Sequence, residues 1–145
     1  MKLLVQRVLS ADVTVNENIT GQIDRGLLVF LGVEKDDTAA QADYLANKLV
    51  NLRIFEDENE KMNLSVQDIN GGILLISQFT LAADTSRGNR PGFDNAERPE
   101  EAKKMYEYFI KKVAEKGIAP QTGVFQAYMK VRLINDGPAT FLLEK

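Results

Sequence analysis

The chain has 145 residues, 44% of them hydrophobic and 27% charged, with a formal net charge of −3, the balance of one globular domain able to bury a core without staples. It contains neither cysteine nor histidine, which removes disulfide frameworks, thiolate or imidazole metal sites, cysteine nucleophiles and every triad that runs through an imidazole. Chemistry must then use hydroxyls, carboxylates, amines, backbone amides or the substrate itself, and the mild acidity argues against a generally basic nucleic-acid binder while leaving a localised contact to an RNA end open.

From Lys2 to Val15 the chain is rich in Leu and Val and alternates as a strand at Val13 to Val15. Gln6, Arg7 and Asp12 break the apolar run before a signal-peptide core or membrane span forms, so a cytoplasmic chain with no membrane partner is expected. The turn-prone Asn16 to Asn18, then "ITGQI" and "GLLVFLGV", predict a strand meander whose last member is buried on both faces. Ala42, Leu45, Ala46, Leu49 and Leu52 recur at helical spacing behind Asp36, Asp37 and Thr38, which predicts a helix over about 38–52.

"RIFEDENEKMNLSV" reads as strand, polar turn and strand, and Ile73 to Ile76 as a continuous apolar strand that turns polar abruptly at Ser77. The Gly-, Pro- and charge-rich stretch from Ala83 to Arg98 reads as a surface excursion. A helix is predicted from about Pro99 to Lys116, with Ala102, Met105, Tyr106, Phe109, Ile110 and Val113 on its apolar stripe and Lys103, Lys104, Lys111 and Lys112 on the other face. In "FQAYMKVRL", Phe125, Ala127, Met129, Val131 and Leu133 alternate as a strand, which "INDGP" then interrupts before "ATFLLE" resumes. The sum is a single α+β domain over residues 1–145, a barrel-like sheet of mostly antiparallel strands with two main helices.

Several chemical motifs drop out. Gly21 to Gly26 has no following Lys-Ser/Thr and Gly71-Gly72 precedes a strand, so neither makes a phosphate loop. The acidic run Glu56 to Glu60 lacks the spacing of a calcium loop and sits where a turn belongs. "SQFTL", Ser77 to Leu81, places two hydroxyls and an amide just past a buried strand. Strand-end hydrogen bonding accounts for such residues as readily as catalysis does, and no imidazole exists to activate either hydroxyl.

"SQFTLAAD" and "NDGPATF", in order with "VQRV", "GLLVFLGV", "RIF", "KMNLSV" and "QTGVF", resemble the bacterial D-aminoacyl-tRNA deacylase (D-tyrosyl-tRNA deacylase) family along nearly the whole chain. The resemblance implies hydrolysis of the ester joining a D-amino acid, or glycine mischarged on alanine tRNA, to the terminal adenosine of tRNA, without cofactor or metal. It implies a homodimer in which Gly137 and Pro138, joined by a cis peptide, enter the partner's pocket around Ser77, Gln78, Phe79 and Thr80 and reject L-residues. Catalysis is then largely RNA-assisted, with amides near Phe79 and Thr80 stabilising the oxyanion and Thr80 as nucleophile ranking second. Arg7 matches a residue that supports the Gly-Pro segment, and Phe125 and Met129 match positions at the adenosine or the pocket wall. Gln126, Tyr128, Asn89 and Gly92 depart from the family's common residues. Two other readings stay open: a non-catalytic nucleic-acid module on the same fold, and a sister deacylase with a trans Gly-Pro and relaxed chirality.

Overall fold

In the computed structural model, which describes residues 1–145, β1 (Lys2–Val15) and β2 (Asn18–Ile23) form an antiparallel hairpin. Its two turn residues, Asn16 and Glu17, have φ of 47° and 66°, the left-handed pair that matches the twist of the flanking strands. β3 (Gly26–Gly32) returns antiparallel along the first half of β1 and is buried on both faces. Helix α1 (Ala39–Val50) follows; Thr38 and Gln41 cap it reciprocally, so two of the first-turn amides are satisfied where the chain leaves extended conformation.

Two short strands, β4 (Phe55–Glu56) and β5 (Met62–Leu64), pair across the acidic turn. There the Asp57 carboxylate accepts from the side chain of Asn63 and the amides of Asn59 and Lys61, and these bonds hold it below the usual carboxylate range. The acidic run organises a turn, and no group of three or more acidic side chains is placed to hold a metal. β6 (Gly72–Ser77) then runs parallel to β3, a 3-10 turn spans Phe79–Ala82, α2 covers Pro99–Ala114, and the short β7 (Gln121–Thr122) runs parallel to β6. Antiparallel pairings predominate; the two parallel ones arise where a helical crossover returns the chain to the same end of the sheet. The last strand, β8 (Lys130–Glu144), pairs antiparallel with β1 on the side away from β3.

The sheet order is β2-β1-β3-β6-β7 with β8 on β1. Its two ends approach: a Cβ at Gly21 of β2 would lie 2.7 Å from the Thr122 carbonyl oxygen of β7, so the sheet curls into a nearly closed barrel and a glycine is needed at the seam. One face packs Leu3, Val5, Val29 and Leu75 under α1 and α2. The inside of the curl holds Val8, Val13, Leu28, Leu74 and Ile76. No helix is long and apolar enough to cross a membrane.

Two segments differ from the sequence expectation. "FQAYM" is not strand: Phe125–Ala127 is a turn, with Gln126 at φ 61°, and β8 starts only at Lys130. Phe125 packs with the helix-side core, whereas Met129, Val131 and Leu133 pack inside the curl. The alternation therefore spans two cores joined by a reversal. Conversely, Gly137-Pro138 does not end the last strand, because β8 continues through it while the pairing with β1 is suspended.

Glu34 fastens the chain ends. It accepts from Lys2 Nζ at 3.0 Å and the Met1 amine at 3.2 Å, and that amine also contacts Asp37 at 2.5 Å and the Lys145 carbonyl at 3.0 Å. Burial pushes the Glu34 carboxyl up, but Lys2 and the Met1 amine outweigh it and hold the carboxyl below the ordinary glutamate range. A depressed folded-state pKa means stabilisation present above the unfolded value of about 4.3 and lost as pH falls through the folded one. Glu34→Gln is accordingly expected to make the fall of the thermal midpoint on acidification below about pH 4.5 shallower than in the unsubstituted protein. Parallel curves in a pH series of thermal melts would contradict this.

Candidate active site

The principal cavity, about 680 Å³, opens where β6 ends. Ser77, Gln78 and Phe79 form one side, Phe125 and Met129 another, and Arg98, Pro99 and Ala102 at the start of α2 a third. Phe125 is held from behind by Tyr106, at 5.9 Å between ring centroids, and Tyr106 donates its hydroxyl proton to the Leu75 carbonyl at 2.8 Å. Burial pushes the Tyr106 phenol well above its ordinary range, so it acts as a neutral strut. Phe93 packs against Phe79 at 5.1 Å and extends the apolar wall.

The backbone changes direction at Gln78 because Gly32, at the end of β3, lets the 3-10 turn come close. A Cβ there would lie 2.9 Å from Leu81 Cβ and 3.1 Å from the Gln78 carbonyl oxygen. The Gln78 amide donates to Leu31 O at 2.7 Å, and the turn's own bonds begin with Leu81 N to Gln78 O at 3.2 Å. That leaves the amides of Phe79 and Thr80 without partners inside the turn, as at any helical start. Thr80 is exposed just beyond the cavity lining, and its Oγ1 accepts from Gln78 Nε2 at 2.6 Å. An amide N–H cannot take a proton, so this contact orients the hydroxyl without activating it.

The second constellation lies elsewhere. Gln6 of β1 pairs with Thr140 and Val8 with Asn135, so the segment Asp136–Ala139 bulges out opposite the single residue Arg7. Arg7 is 4% exposed. Its Nε donates to the Asp136 carbonyl at 2.8 Å and its Nη1 to the Ile54 carbonyl at 2.6 Å. Asn135 closes the base of the bulge, its Nδ2 donating to Arg7 O at 3.3 Å and Ala139 O at 3.5 Å. A Cβ at Gly137 would overlap Asn135 Oδ1, which explains the missing side chain. The Gly137-Pro138 peptide is cis, and both residues are exposed.

The sequence profile of the family described as D-Tyr-tRNA(Tyr) deacylase matches residues 4–144. The chain belongs to that family. D-aminoacyl-tRNA deacylases from Koribacter versatilis and Clostridioides difficile are 58% and 57% identical over 144 residues, covering 99% of this chain and 97% of each relative. One from Pelobacter propionicus is 52% identical over the full length of both. Among solved structures, the c-Myc DNA Unwinding Element Binding Protein superposes with a TM-score of 0.95 at 40% identity, covering 100% of this chain and 99% of that one. A probable eukaryotic D-amino acid tRNA deacylase, at 0.82 and 16% identity over 98% and 97% of the chains, shares the fold.

Members of this deacylase family are hydrolases acting on ester bonds. In this member the fold brings Ser77, Gln78, Phe79 and Thr80 together with Phe125 and Met129, and brings Arg7 together with Gly137 and Pro138, but keeps the two groups apart within the chain. Arg7 is level with Leu27 and Ile73, whereas Ser77 is level with Leu31 and Leu3. From Arg7 to Ser77 the offset is about 13 Å along the strands and two inter-strand spacings, about 10 Å, across them, with the bulge on β8 one spacing further away. Phe93 and Asn135 were not singled out from sequence; Phe93 is the one aromatic residue in the polar excursion, and Asn135 opens the "NDGPATF" motif.

Proposed function

We propose that the protein hydrolyses the ester of D-aminoacyl-tRNA, and of glycine mischarged on alanine tRNA, as a cytoplasmic homodimer in which Gly137 and Pro138 of each chain complete the partner's cavity. The observation that carries the chemistry is the pair of unpartnered amides at Phe79 and Thr80 beside an apolar cavity that holds no activated side-chain nucleophile. An aminoacyl ester is already activated. Water adds to its carbonyl carbon, the amides hold the developing oxyanion, and collapse expels the ribose oxygen, which takes a proton as the vicinal hydroxyl assists. The products are the free amino acid and a tRNA with its terminal hydroxyl restored.

The separation of the two constellations supports the dimer, since only a second copy brings Gly137 and Pro138 to Ser77. An uncovered apolar face around β8, with Ile134 57% and Leu142 54% exposed, gives that copy a surface. Chirality is then set by fixed backbone: carbonyl oxygens of the Gly137-Pro138 segment receive the substrate amino group and crowd the direction an L side chain needs, a stronger filter than a pocket merely shaped for the D side chain.

Matched D- and L-tyrosyl-tRNA, with glycyl-tRNA alongside, test this directly. Release from the D and glycyl esters and not from the L ester is expected; no release from the D ester removes the activity, and equal release from D and L removes the chiral filter. Thr80→Ala is expected to keep turnover within about ten-fold of wild type, because it removes an orienting hydroxyl and no nucleophile. A loss of several orders of magnitude, with the fold intact by circular dichroism, would make Thr80 obligatory.

A further inference from the structure

The four lysines on the polar face of α2 are already engaged. Lys103 pairs with Glu107 at 3.8 Å, Lys104 with Glu101 at 2.7 Å, and Lys111 and Lys112 with Glu115 at 4.0 and 2.8 Å. Their face of α2 is self-neutralised and has little field to offer a polyanion.

The excursion after the 3-10 turn is different. Asp84 and Gly92 exchange backbone bonds in both directions, at 2.8 and 2.9 Å, closing residues 85–91 into a finger. Asp84 Oδ1 accepts from the Ser86 amide at 2.9 Å, which ties the acid at the base to the finger's own backbone. Gly88, at φ +65° with nothing within 4 Å of its missing side chain, makes the bend at the tip in open space. Arg87 and Arg90 flank that bend. They are the only charged residues between Thr85 and Pro91, both are exposed, and neither guanidinium takes part in an ion pair or hydrogen bond. The finger springs from the cavity rim, because the residue after its base, Phe93, is the one packed on Phe79.

We infer that the finger bearing Arg87 and Arg90 binds phosphates of the tRNA's acceptor end, holding the polynucleotide while the esterified adenosine enters the cavity. This rests on the deacylase reading above and adds to it where the RNA backbone is held. Three residues per leg carry the guanidiniums on the order of 10 Å beyond the rim, where phosphates preceding the terminal nucleoside must pass. Two unpaired guanidiniums present fork-shaped donor sets matched to phosphate oxygens. In a chain of net charge −3, a local cationic tip also orients the approach of a polyanion.

The test compares two esters across a salt series: D-tyrosyl-tRNA and D-tyrosyl-adenosine, which has the same reacting bond and no phosphates. Arg87→Ala/Arg90→Ala is expected to lose about ten-fold in kcat/KM on the tRNA ester near 0.1 M salt, with a log-log salt dependence shallower by about 1.4, two single-strand phosphate contacts' worth. Its loss on the adenosine ester is expected to be several-fold smaller. Lys103→Ala/Lys104→Ala serves as the comparison and is expected to leave the salt slope in place. Equal losses on both esters, an unchanged slope, or the same slope change in the lysine variant would overturn the assignment, and so would equal competition by a DNA duplex. Should wild-type protein cleave neither ester, the deacylase reading falls on its own; anisotropy of labelled uncharged tRNA then judges the finger by the same slope difference.

Discussion

Arg7→Met is expected to lower the thermal midpoint by roughly 10 °C and to cost most of the D-aminoacyl-tRNA hydrolysis. The magnitude comes from what the guanidinium is bonded to. Its contact to Glu56, at 3.9 Å with that side chain 51% exposed, is a surface ion pair worth a few tenths of a kcal/mol at most. The bonds to the Asp136 and Ile54 carbonyls, at 2.8 and 2.6 Å, are charge-assisted and shielded, each worth about 1.5 kcal/mol or more. Methionine fills the volume and leaves both carbonyls without that donor, so the sum is about 3 kcal/mol. Arg7→Lys keeps the charge but offers a single point in place of a fork, and one Nζ is not expected to serve two carbonyls on different segments. It should fall between wild type and Arg7→Met in thermal melts, while showing nearly the full loss of hydrolysis, since the Asp136–Ala139 bulge loses its anchor in both. A midpoint unchanged in Arg7→Met would mean that water replaces the guanidinium and that the bulge is held by Asn135 alone.

The elements legible in the sequence are those whose own residues dictate them. Thr38 ahead of the helical spacing of Ala42, Leu45 and Leu49 announces a helix, Pro99 begins another, and "GLLVFLGV" can be buried on both faces only inside a sheet. The reversal at Gln126 was hidden because a turn between two cores yields the same alternation as a strand crossing one. The continuation of β8 through Gly137-Pro138 was hidden too, because β1 supplies the pairing on either side and local propensity cannot see a partner 130 residues away. At the site, the abrupt polarity after Ile76 drew notice to Ser77 to Thr80, but strand-end hydrogen bonding explains those residues as readily, and it was the family resemblance that gave them a role. That Arg7 is buried beneath the Gly-Pro bulge depends on register between the two ends of the chain. No spacing encodes it, and only family resemblance pointed there. The lysine face of α2 taught the opposite lesson: a basic stripe on a helix carries little charge outward when glutamates sit three and four residues away.

Two variants, each disabled on a different side of the cavity, are expected to restore one another when paired. Gly32→Ala drives a methyl group into the packing that seats the 3-10 turn, 2.9 Å from Leu81 Cβ and 3.1 Å from the Gln78 carbonyl oxygen, and so displaces the Phe79 and Thr80 amides from the oxyanion. Gly137→Ala forces apart the Asn135 amide group and the bulge that it closes. A misplacement approaching 1 Å on either side costs about 10²-fold in a reaction that runs on positioning. In a two-fold dimer whose cavities each take the turn from one chain and the bulge from the other, a heterodimer of the two variants has one doubly damaged site and one fully intact site. Co-expression with two different affinity tags and isolation of the doubly tagged species should then give about half the wild-type activity from two nearly inactive chains. Activity no higher than that of the parents would place both motifs' action within a single chain. Failure to recover any doubly tagged species would remove the dimer, and with it the role proposed for Gly137 and Pro138.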